Sequence, residues 1–169
     1  MEALLVLHDA QGTAERRDAA LVAALTLAQA WRGQVRGKVE LWGEIDPGGA
    51  LVSGASIDAT HALPQADPGA RIWLALCLSL AQGHLPLLMR SSYAGMTLAH
   101  LRQARALMDG ADAAFVTTSD GAYAAAGLRR AVPELFAALP WQAGKVMAAT
   151  RARAAQRGCR IGEVALEPA

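Results

Sequence analysis

The spacing of apolar residues constrains the fold of this chain more than any other feature of its sequence. Short runs of consecutive apolar residues, such as residues 85–89, alternate with longer segments in which apolar residues recur at helical spacing, such as residues 13–31. This alternation is typical of βαβ units, in which helices connect the strands of a parallel sheet and cover its two faces. The sequence therefore predicts an α/β protein with three layers, α/β/α, around a mostly parallel sheet.

The same pattern predicts the individual elements. Asp67 followed by Pro68 indicates a helix start, since an aspartate can accept hydrogen bonds from first-turn amides and proline suits the first helical position. A turn is predicted at residues 46–49, where Asp-Pro-Gly-Gly occurs. Helices are predicted at residues 13–31, 68–82, 98–108, 133–139 and 144–157. Strands are predicted at residues 4–7, 39–42, 57–62, 85–89, 113–118, 123–128 and 161–166, the last as an edge strand.

Length and composition limit the classes of function. The 169 residues, 53% of them hydrophobic, suffice for one globular domain, which we expect to span residues 1–169. The net charge of +1 argues against nucleic acid or an anionic membrane as a partner. Cys77 and Cys159 do not form a CxxC pair, and we interpret them as structural thiols. Since neither a signal peptide nor a long apolar run is evident, we expect a cytoplasmic protein.

Polar residues follow two of the predicted strands. Arg90, Ser91 and Ser92 come directly after residues 85–89, and Asp120 follows the strand at residues 113–118. In open α/β sheets, ligands bind outside the carboxyl ends of the strands. Serine hydroxyls can hydrogen-bond a ligand there but cannot neutralise a divalent cation as an aspartate does. We therefore expect a shared ligand site at this edge, with Asp120 as its only evident carboxylate.

Several segments together resemble a known family. Residues 120–130 contain Asp-Gly-Ala-Tyr and Gly-Leu, and Pro-Glu-Leu-Phe and Leu-Pro-Trp follow before residue 142. Upstream, Gln65, Asp67, Gly69 and Arg71 occur in the order of another conserved segment of that family. Over residues 35–160 the chain thus resembles the bacterial glycosyltransferase-like proteins grouped as DUF2064. The resemblance implies the Rossmann-like glycosyltransferase A fold of the nucleotide-diphospho-sugar transferases.

The resemblance also implies roles for individual residues. Asp120 would be the catalytic residue and the contact to the metal or the donor, with Mg²⁺ or Mn²⁺ as cofactor in an active enzyme and none otherwise. A nucleotide sugar would be the partner. The residues of this chain that would bind that substrate are Arg71, Arg90, Ser91, Ser92, Gly121, Tyr123 and Trp141.

Two departures from the family pattern bear on activity. Ser92 stands where the family has a strand-end aspartate, and the turn at residues 9–13 lacks the family's phosphate-binding run. Two hypotheses therefore remain open. One is a nucleotide-sugar-dependent transferase whose metal-dependent activity is reduced or lost. The other is a non-catalytic binding or assembly module, which could form a homodimer through an exposed strand or the region of Trp31 and Trp42.

Each candidate also has a purely structural interpretation. Asp120 and Gly121 can form an ordinary turn, and Ser91 and Ser92 can satisfy loop amides. Aromatic side chains such as Tyr123 more often fill a core than stack on a ligand. The basic residues 129, 130, 145, 151, 153, 157 and 160 can form a solvated surface or bind an acidic partner. The four histidines lack the paired spacing of a zinc site.

Overall fold

A computed structural model describes residues 1–9, 11–43, 56–64 and 66–167 of the chain. Within these ranges it contains seven strands in one sheet, of order β3-β2-β1-β4-β6-β5-β7. The predicted turn at residues 46–49 lies outside the described residues. The strands are β1 Glu2–His8, β2 Gly37–Gly43, β3 Ala59–Ala62, β4 Leu85–Arg90, β5 Ala113–Thr117, β6 Tyr123–Leu128 and β7 Ile161–Ala165.

In the ranges that the structure describes, four α-helices connect the strands: α1 Ala14–Arg32, α2 Pro68–Ala81, α3 Leu98–Leu107 and α4 Val146–Gln156. The predicted start of α2 is correct, because the Asp67 side chain accepts a hydrogen bond from the amide of Ala70 at 3.2 Å and Pro68 is the first helical residue. Thr97 caps α3 through a reciprocal pair of hydrogen bonds with His100. These caps satisfy amides that have no partner inside the helix.

The sheet separates two apolar layers, as the predicted three-layer α/β/α class requires. On one face, Ile72 and Leu76 of α2 pack with Leu5 and Phe115 of the sheet. On the other face, α1 and α3 cover Leu4 and residues beside it on the neighbouring strands. Because both faces are covered, the central strands are buried almost throughout and read as continuous apolar runs.

Strand β6 is antiparallel to both of its neighbours, β4 and β5, whereas the remaining pairs are parallel. The turn between β5 and β6 is too short for a crossover, which needs a dozen or more residues, so β6 must run back beside β5. Its position separates β4 from β5, two strands that the sequence suggests as neighbours. Since β4 and β5 both oppose β6, their carboxyl ends still lie at the same edge.

Two predicted helices differ from the structure. The helix expected at residues 133–139 is a single 3₁₀ turn, Pro133–Leu135, and a second 3₁₀ turn, Trp141–Ala143, precedes α4. Helix α4 begins two residues later than predicted, after Gly144 adopts the left-handed conformation with φ of +62°. The 3₁₀ segment buries Leu135 and Phe136 completely. Tertiary contacts therefore set the conformation of this segment, since one short turn already places its apolar residues in the core.

Candidate functional site

A polar crevice of about 610 Å³ opens at the carboxyl ends of β1, β4 and β5. From β1 the chain extends the sheet in one direction through β2 and β3 and then returns to place β4 on the other side of β1. Such a switch point is where open α/β sheets bind ligands. Six polar residues of the crevice matter for its chemistry: Asp9, Arg71, Arg90, Ser92, Tyr93 and Asp120. Ser92 and Asp120 thus lie at one opening.

Asp9 is a second carboxylate in this crevice, which the sequence analysis did not identify. Its Oδ2 atom lies 2.6 Å from Nε of Arg90, and the two side chains are only 10% and 11% exposed. Its other carboxylate oxygen accepts a hydrogen bond from the amide of Ser92 at 3.1 Å. The pair therefore joins the ends of β1 and β4, and the charge of Asp9 is already neutralised by a side chain of the protein.

Arg90 is held by three further contacts. Its Nη1 atom donates to the carbonyl of Tyr123 at 3.1 Å. Its guanidinium carbon lies 5.0 Å from the ring centroid of Tyr93 and 5.1 Å from that of Trp141. Cations at this distance from aromatic rings are attracted to the ring face. Arg90 is therefore a fixed positive charge at the base of the crevice.

Asp120 accepts three hydrogen bonds. Oδ1 accepts from the hydroxyl of Thr118 and from the amide of Ala122 at 3.2 Å, and Oδ2 accepts from the hydroxyl of Tyr93 at 3.1 Å. Burial by itself raises the pKa of Asp120, but these hydrogen bonds and the nearby Arg90 outweigh it, so the pKa lies below its usual value. Asp120 is consequently ionised at neutral pH, with most of its acceptor positions used within the protein.

The backbone around Asp120 is set by a close contact between two glycines. Gly121 has φ of +81°, and a Cβ atom at this position would lie 1.9 Å from the carbonyl oxygen of Gly144. The carbonyl of Gly121 also accepts a hydrogen bond from the amide of Met147 at 2.9 Å. Gly121 therefore joins the Asp120 turn to the start of α4. Gly121 acts through its backbone, because any residue with a side chain would be strained at this position.

Arg71 lies on the first turn of α2 and lines the crevice together with Asp120. Its Nε atom is buried and has no hydrogen-bond partner among the described residues. The amino end of α2 begins beside it but is capped by the carboxylate of Asp67. Arg71 is therefore the group that favours an anion on this side of the crevice.

The structure places two aromatic candidate residues outside the crevice lining. Tyr123 is completely buried and packs against Phe115 and Trp141, so its ring is not available to a ligand. This is the core-filling role weighed for it above. Trp141 is half-buried and contacts Arg90 rather than the opening. Tyr123 and Trp141 therefore support the crevice from behind.

Ser91 is 5% exposed and satisfies atoms at the end of β1. Its hydroxyl accepts a hydrogen bond from the amide of Asp9 at 3.2 Å and lies 3.3 Å from Nδ1 of His8. Burial lowers the pKa of His8, which keeps this imidazole neutral at physiological pH. Of the two adjacent serines, Ser92 is thus the exposed one that lines the crevice, and Ser91 stabilises the loop.

The predicted basic cluster is mostly engaged within the protein. Arg130 pairs with Asp112 at 2.8 Å and Arg151 with Glu163 at 2.8 Å. Arg157 lies 3.4 Å from Glu134, while Arg129 and Arg153 donate to backbone carbonyls. These contacts join loops and helix ends, so the cluster does not form a continuous positive surface.

Trp31 and Trp42 are only 3% and 2% exposed. They lie in the core, so this region is not a homodimer surface formed by these two side chains, which corrects the expectation from sequence. In the described part of the chain, no helix is both long and apolar enough to cross a membrane.

A second cavity, of about 350 Å³, lies on the other side of the segment that follows β4. Arg90, Ser92 and Tyr93 line both cavities. Apart from Ser91, the remaining wall of the second cavity is apolar and comes from α1, from Met89 at the end of β4 and from the loop up to Met96 before α3. We refer to it as the apolar pocket.

Comparison with solved structures identifies the fold. A "putative nucleotide-diphospho-sugar transferase" from Desulfovibrio desulfuricans G20 superposes with a TM-score of 0.79 at 16% identity, covering 98% of this chain and 80% of that one. The 4-diphosphocytidyl-2C-methyl-D-erythritol synthase of Anaerococcus prevotii DSM 20548 gives 0.67 at 9% identity, covering 98% and 89%. The Mycobacterium tuberculosis H37Rv protein Rv0371c gives 0.59 at 12% identity, covering 100% and 90%.

At these identities the similarity establishes the fold, which is that of the nucleotide-diphospho-sugar transferase-like proteins, as predicted. No curated protein sequence matches the chain significantly. The profile of one sequence family, DUF2064, described as an uncharacterized protein conserved in bacteria, matches residues 26–143. The match spans well over half of the sequence, includes Arg71, Ser92 and Asp120, and confirms the resemblance seen in the motifs. The chain belongs to the DUF2064 family.

Proposed function

We propose that the crevice binds the diphosphate part of a nucleotide sugar and that metal-dependent sugar transfer is reduced or lost in this protein. The observation that carries this proposal is the ion pair between Asp9 and Arg90. It leaves Asp120 as the one carboxylate of the crevice, among the described residues, that is not paired with a cation. Arg90 thus occupies the position beside Asp9 that a metal ion bound to this carboxylate would need.

The proposal of an anionic ligand rests on Arg71 and Arg90. Arg71 has a buried Nε atom without a described partner, so a phosphate oxygen would satisfy a donor that is otherwise costly to bury. Guanidinium groups bind phosphate through paired hydrogen bonds. Ser92 can donate its hydroxyl to the same ligand.

The carboxylates do not fit a divalent cation well. Magnesium is usually bound by one or two carboxylates together with phosphate oxygens and water. Asp9 already contacts Arg90 and the Ser92 amide, and Asp120 accepts three hydrogen bonds. Arg90 would also repel a cation placed between them. We therefore assign Asp120 the role of positioning Tyr93 and the turn. The proposed function includes no metal-dependent step.

Thermal shift and titration calorimetry with UDP- and GDP-sugars, with and without Mg²⁺ or Mn²⁺, test the proposal. We expect binding that does not depend on metal. Arg71→Gln should weaken it about tenfold or more, because a hydrogen bond to a charged group contributes about 1.5–3 kcal/mol. Arg160→Gln is the matched control, since Arg160 is exposed beside β7 at the opposite edge of the sheet.

The two parts of the proposal fail separately. Binding that requires a metal ion and is abolished in Asp120→Ala would show that the crevice retains a working metal site. Unchanged melting temperatures with every nucleotide sugar of the panel would instead show that a nucleotide sugar is not the ligand. In that case the fold would serve a binding or assembly role that does not involve this class of molecule.

A further inference from the structure

We propose that the apolar pocket holds an aliphatic chain carried by a phosphorylated ligand whose phosphate lies in the crevice. The inference rests on the proposed function of the crevice and adds a ligand class to it: an amphipathic alkyl or prenyl phosphate, as acceptor or as bound product. Nothing in the crevice itself requires such a chain. The evidence for an aliphatic chain is the apolar lining of the pocket and its position beside the crevice.

The pocket owes its space to short side chains on one face of α1. Ala20, Ala24 and Leu27 lie along this face at helical spacing, and the side chain of each alanine ends at Cβ. At 1.5 Å per residue, the distance from residue 20 to residue 27 is about 10 Å along the helix. The pocket therefore runs along α1 over about two helical turns.

The composition of the walls favours an aliphatic occupant. Met89 forms part of the wall at the end of β4, and Met96 approaches from the loop before α3. Methionine side chains are flexible and adapt to chains of irregular shape. The volume of about 350 Å³ falls in the range of pockets that bind small ligands. The charged and hydroxyl-bearing residues of the lining are residues 90–93, at the end of β4 and directly after it.

This polar segment forms the wall that the pocket shares with the crevice. Arg90, Ser92 and Tyr93 contribute to both cavities, so a ligand that passes over this segment meets charge on one side and apolar surface on the other. A molecule with a phosphate and an aliphatic chain matches both surfaces at once. Free phosphate or a nucleotide alone would leave the pocket in contact with water.

Titration calorimetry with n-octyl phosphate and methyl phosphate, in the absence of metal and below the micelle concentration, tests the inference. We expect octyl phosphate to bind at least about tenfold more tightly, because burial of two methylene groups already accounts for that factor. Ala24→Phe should remove this advantage by filling the pocket while leaving methyl phosphate binding unchanged. Ala30→Phe is the matched control, as Ala30 is exposed on the same helix and outside the pocket.

A second variant covers the case in which Ala24→Phe does not fold. Ala23 lines the apolar pocket and is exposed, so Ala23→Phe can narrow this pocket with little effect on the core. Retention of the full octyl advantage in both folded variants would overturn the inference. Equal affinities for octyl and methyl phosphate would overturn it as well and would leave phosphate binding in the crevice intact.

The outcomes separate this inference from the proposed function. If binding of octyl phosphate is sensitive to Ala24→Phe but unchanged in Arg71→Gln, the chain lies in the pocket and the crevice loses its assigned role. If methyl phosphate binds and Arg71→Gln weakens it, the crevice is supported whatever the octyl result. If neither compound binds, both proposals are wrong.

Discussion

The crevice and the apolar pocket share one segment of chain but are built in opposite ways. In the crevice, charged and polar side chains already contact one another, as Asp9 does with Arg90 and Asp120 with Tyr93. In the pocket, space remains because the residues of α1 that face it have short side chains. The crevice is therefore defined by the positions of charges and the pocket by a volume.

This difference predicts which substitutions each region tolerates. A charge held between buried partners becomes costly when one partner is removed, because the other is left uncompensated. A volume bounded by alanines and methionines can be narrowed by a larger side chain at moderate cost. We therefore expect substitutions in the crevice to affect the free energy of unfolding, and substitutions in the pocket to affect mainly what binds.

The largest contrast is expected between two glycines with positive φ, one in each region. Gly121→Ala should lower the free energy of unfolding by about 4 kcal/mol, since the new Cβ atom would both strain the backbone and overlap the carbonyl of Gly144. Gly95→Ala, in the loop lining the pocket, should cost only about 1 kcal/mol, because φ is +85° but no atom lies within 4 Å. Urea denaturation measures both values. Equal losses would show that conformational strain alone matters and that the contact with Gly144 does not.

Removing the charge of Asp9 should have the next largest effect. Asp9→Asn leaves Arg90 almost buried without its counter-charge and should cost about 3 kcal/mol. Glu163→Gln is the matched control, because its pair with Arg151 is 30% and 52% exposed and should contribute at most about 1 kcal/mol. The double variant Asp9→Asn with Arg90→Gln should lose less stability than the sum of the two single variants. Additive losses would show that the two side chains are not coupled.

The smallest effect is expected at Tyr93, which lines both regions. Tyr93→Phe removes one hydrogen bond to Asp120 and should cost about 1 kcal/mol at neutral pH. It should also raise the pKa of Asp120 towards its ordinary value, since that hydrogen bond helps to lower it. NMR titration of the Asp120 carboxyl carbon measures this shift directly.

The sign of the pH dependence follows from the same residue. Because the pKa of Asp120 is lower in the folded protein than in the unfolded chain, its contribution to stability is present above the unfolded value. That contribution is lost as the pH falls through the folded value. The acid side of the melting profile should therefore be less steep in Asp120→Asn than in the wild-type protein. An unchanged profile would contradict a lowered pKa at this residue.

Much of the fold follows from local patterns. Asp67 with Pro68 predicts the start of α2 because the cap uses atoms within the same turn. Residues 85–89 predict β4 since a fully buried strand needs a continuous apolar run. The 3₁₀ turn at Pro133–Leu135 is not predictable in this way, because a short apolar segment fits either helix type and its contacts with the core decide.

For the site, sequence order indicates which residues follow strands but not which of them meet. Asp120 is found because it follows β5, and Asp9 could have been found by the same rule, as it follows β1. The partner of Asp9 is 81 residues away in the sequence. No local pattern specifies that pairing, which is the observation behind our proposal of an anion site.

The class of fold, the edge of the sheet where the crevice opens and the family follow from the sequence alone, because these depend on periodicity and motifs that are local along the chain. Only the tertiary structure decided that Asp9 is neutralised by Arg90, that Tyr123 is buried and that an apolar pocket adjoins the crevice. These properties depend on distances between strands and helices far apart in sequence, and burial and charge pairing have no meaning before those elements come together.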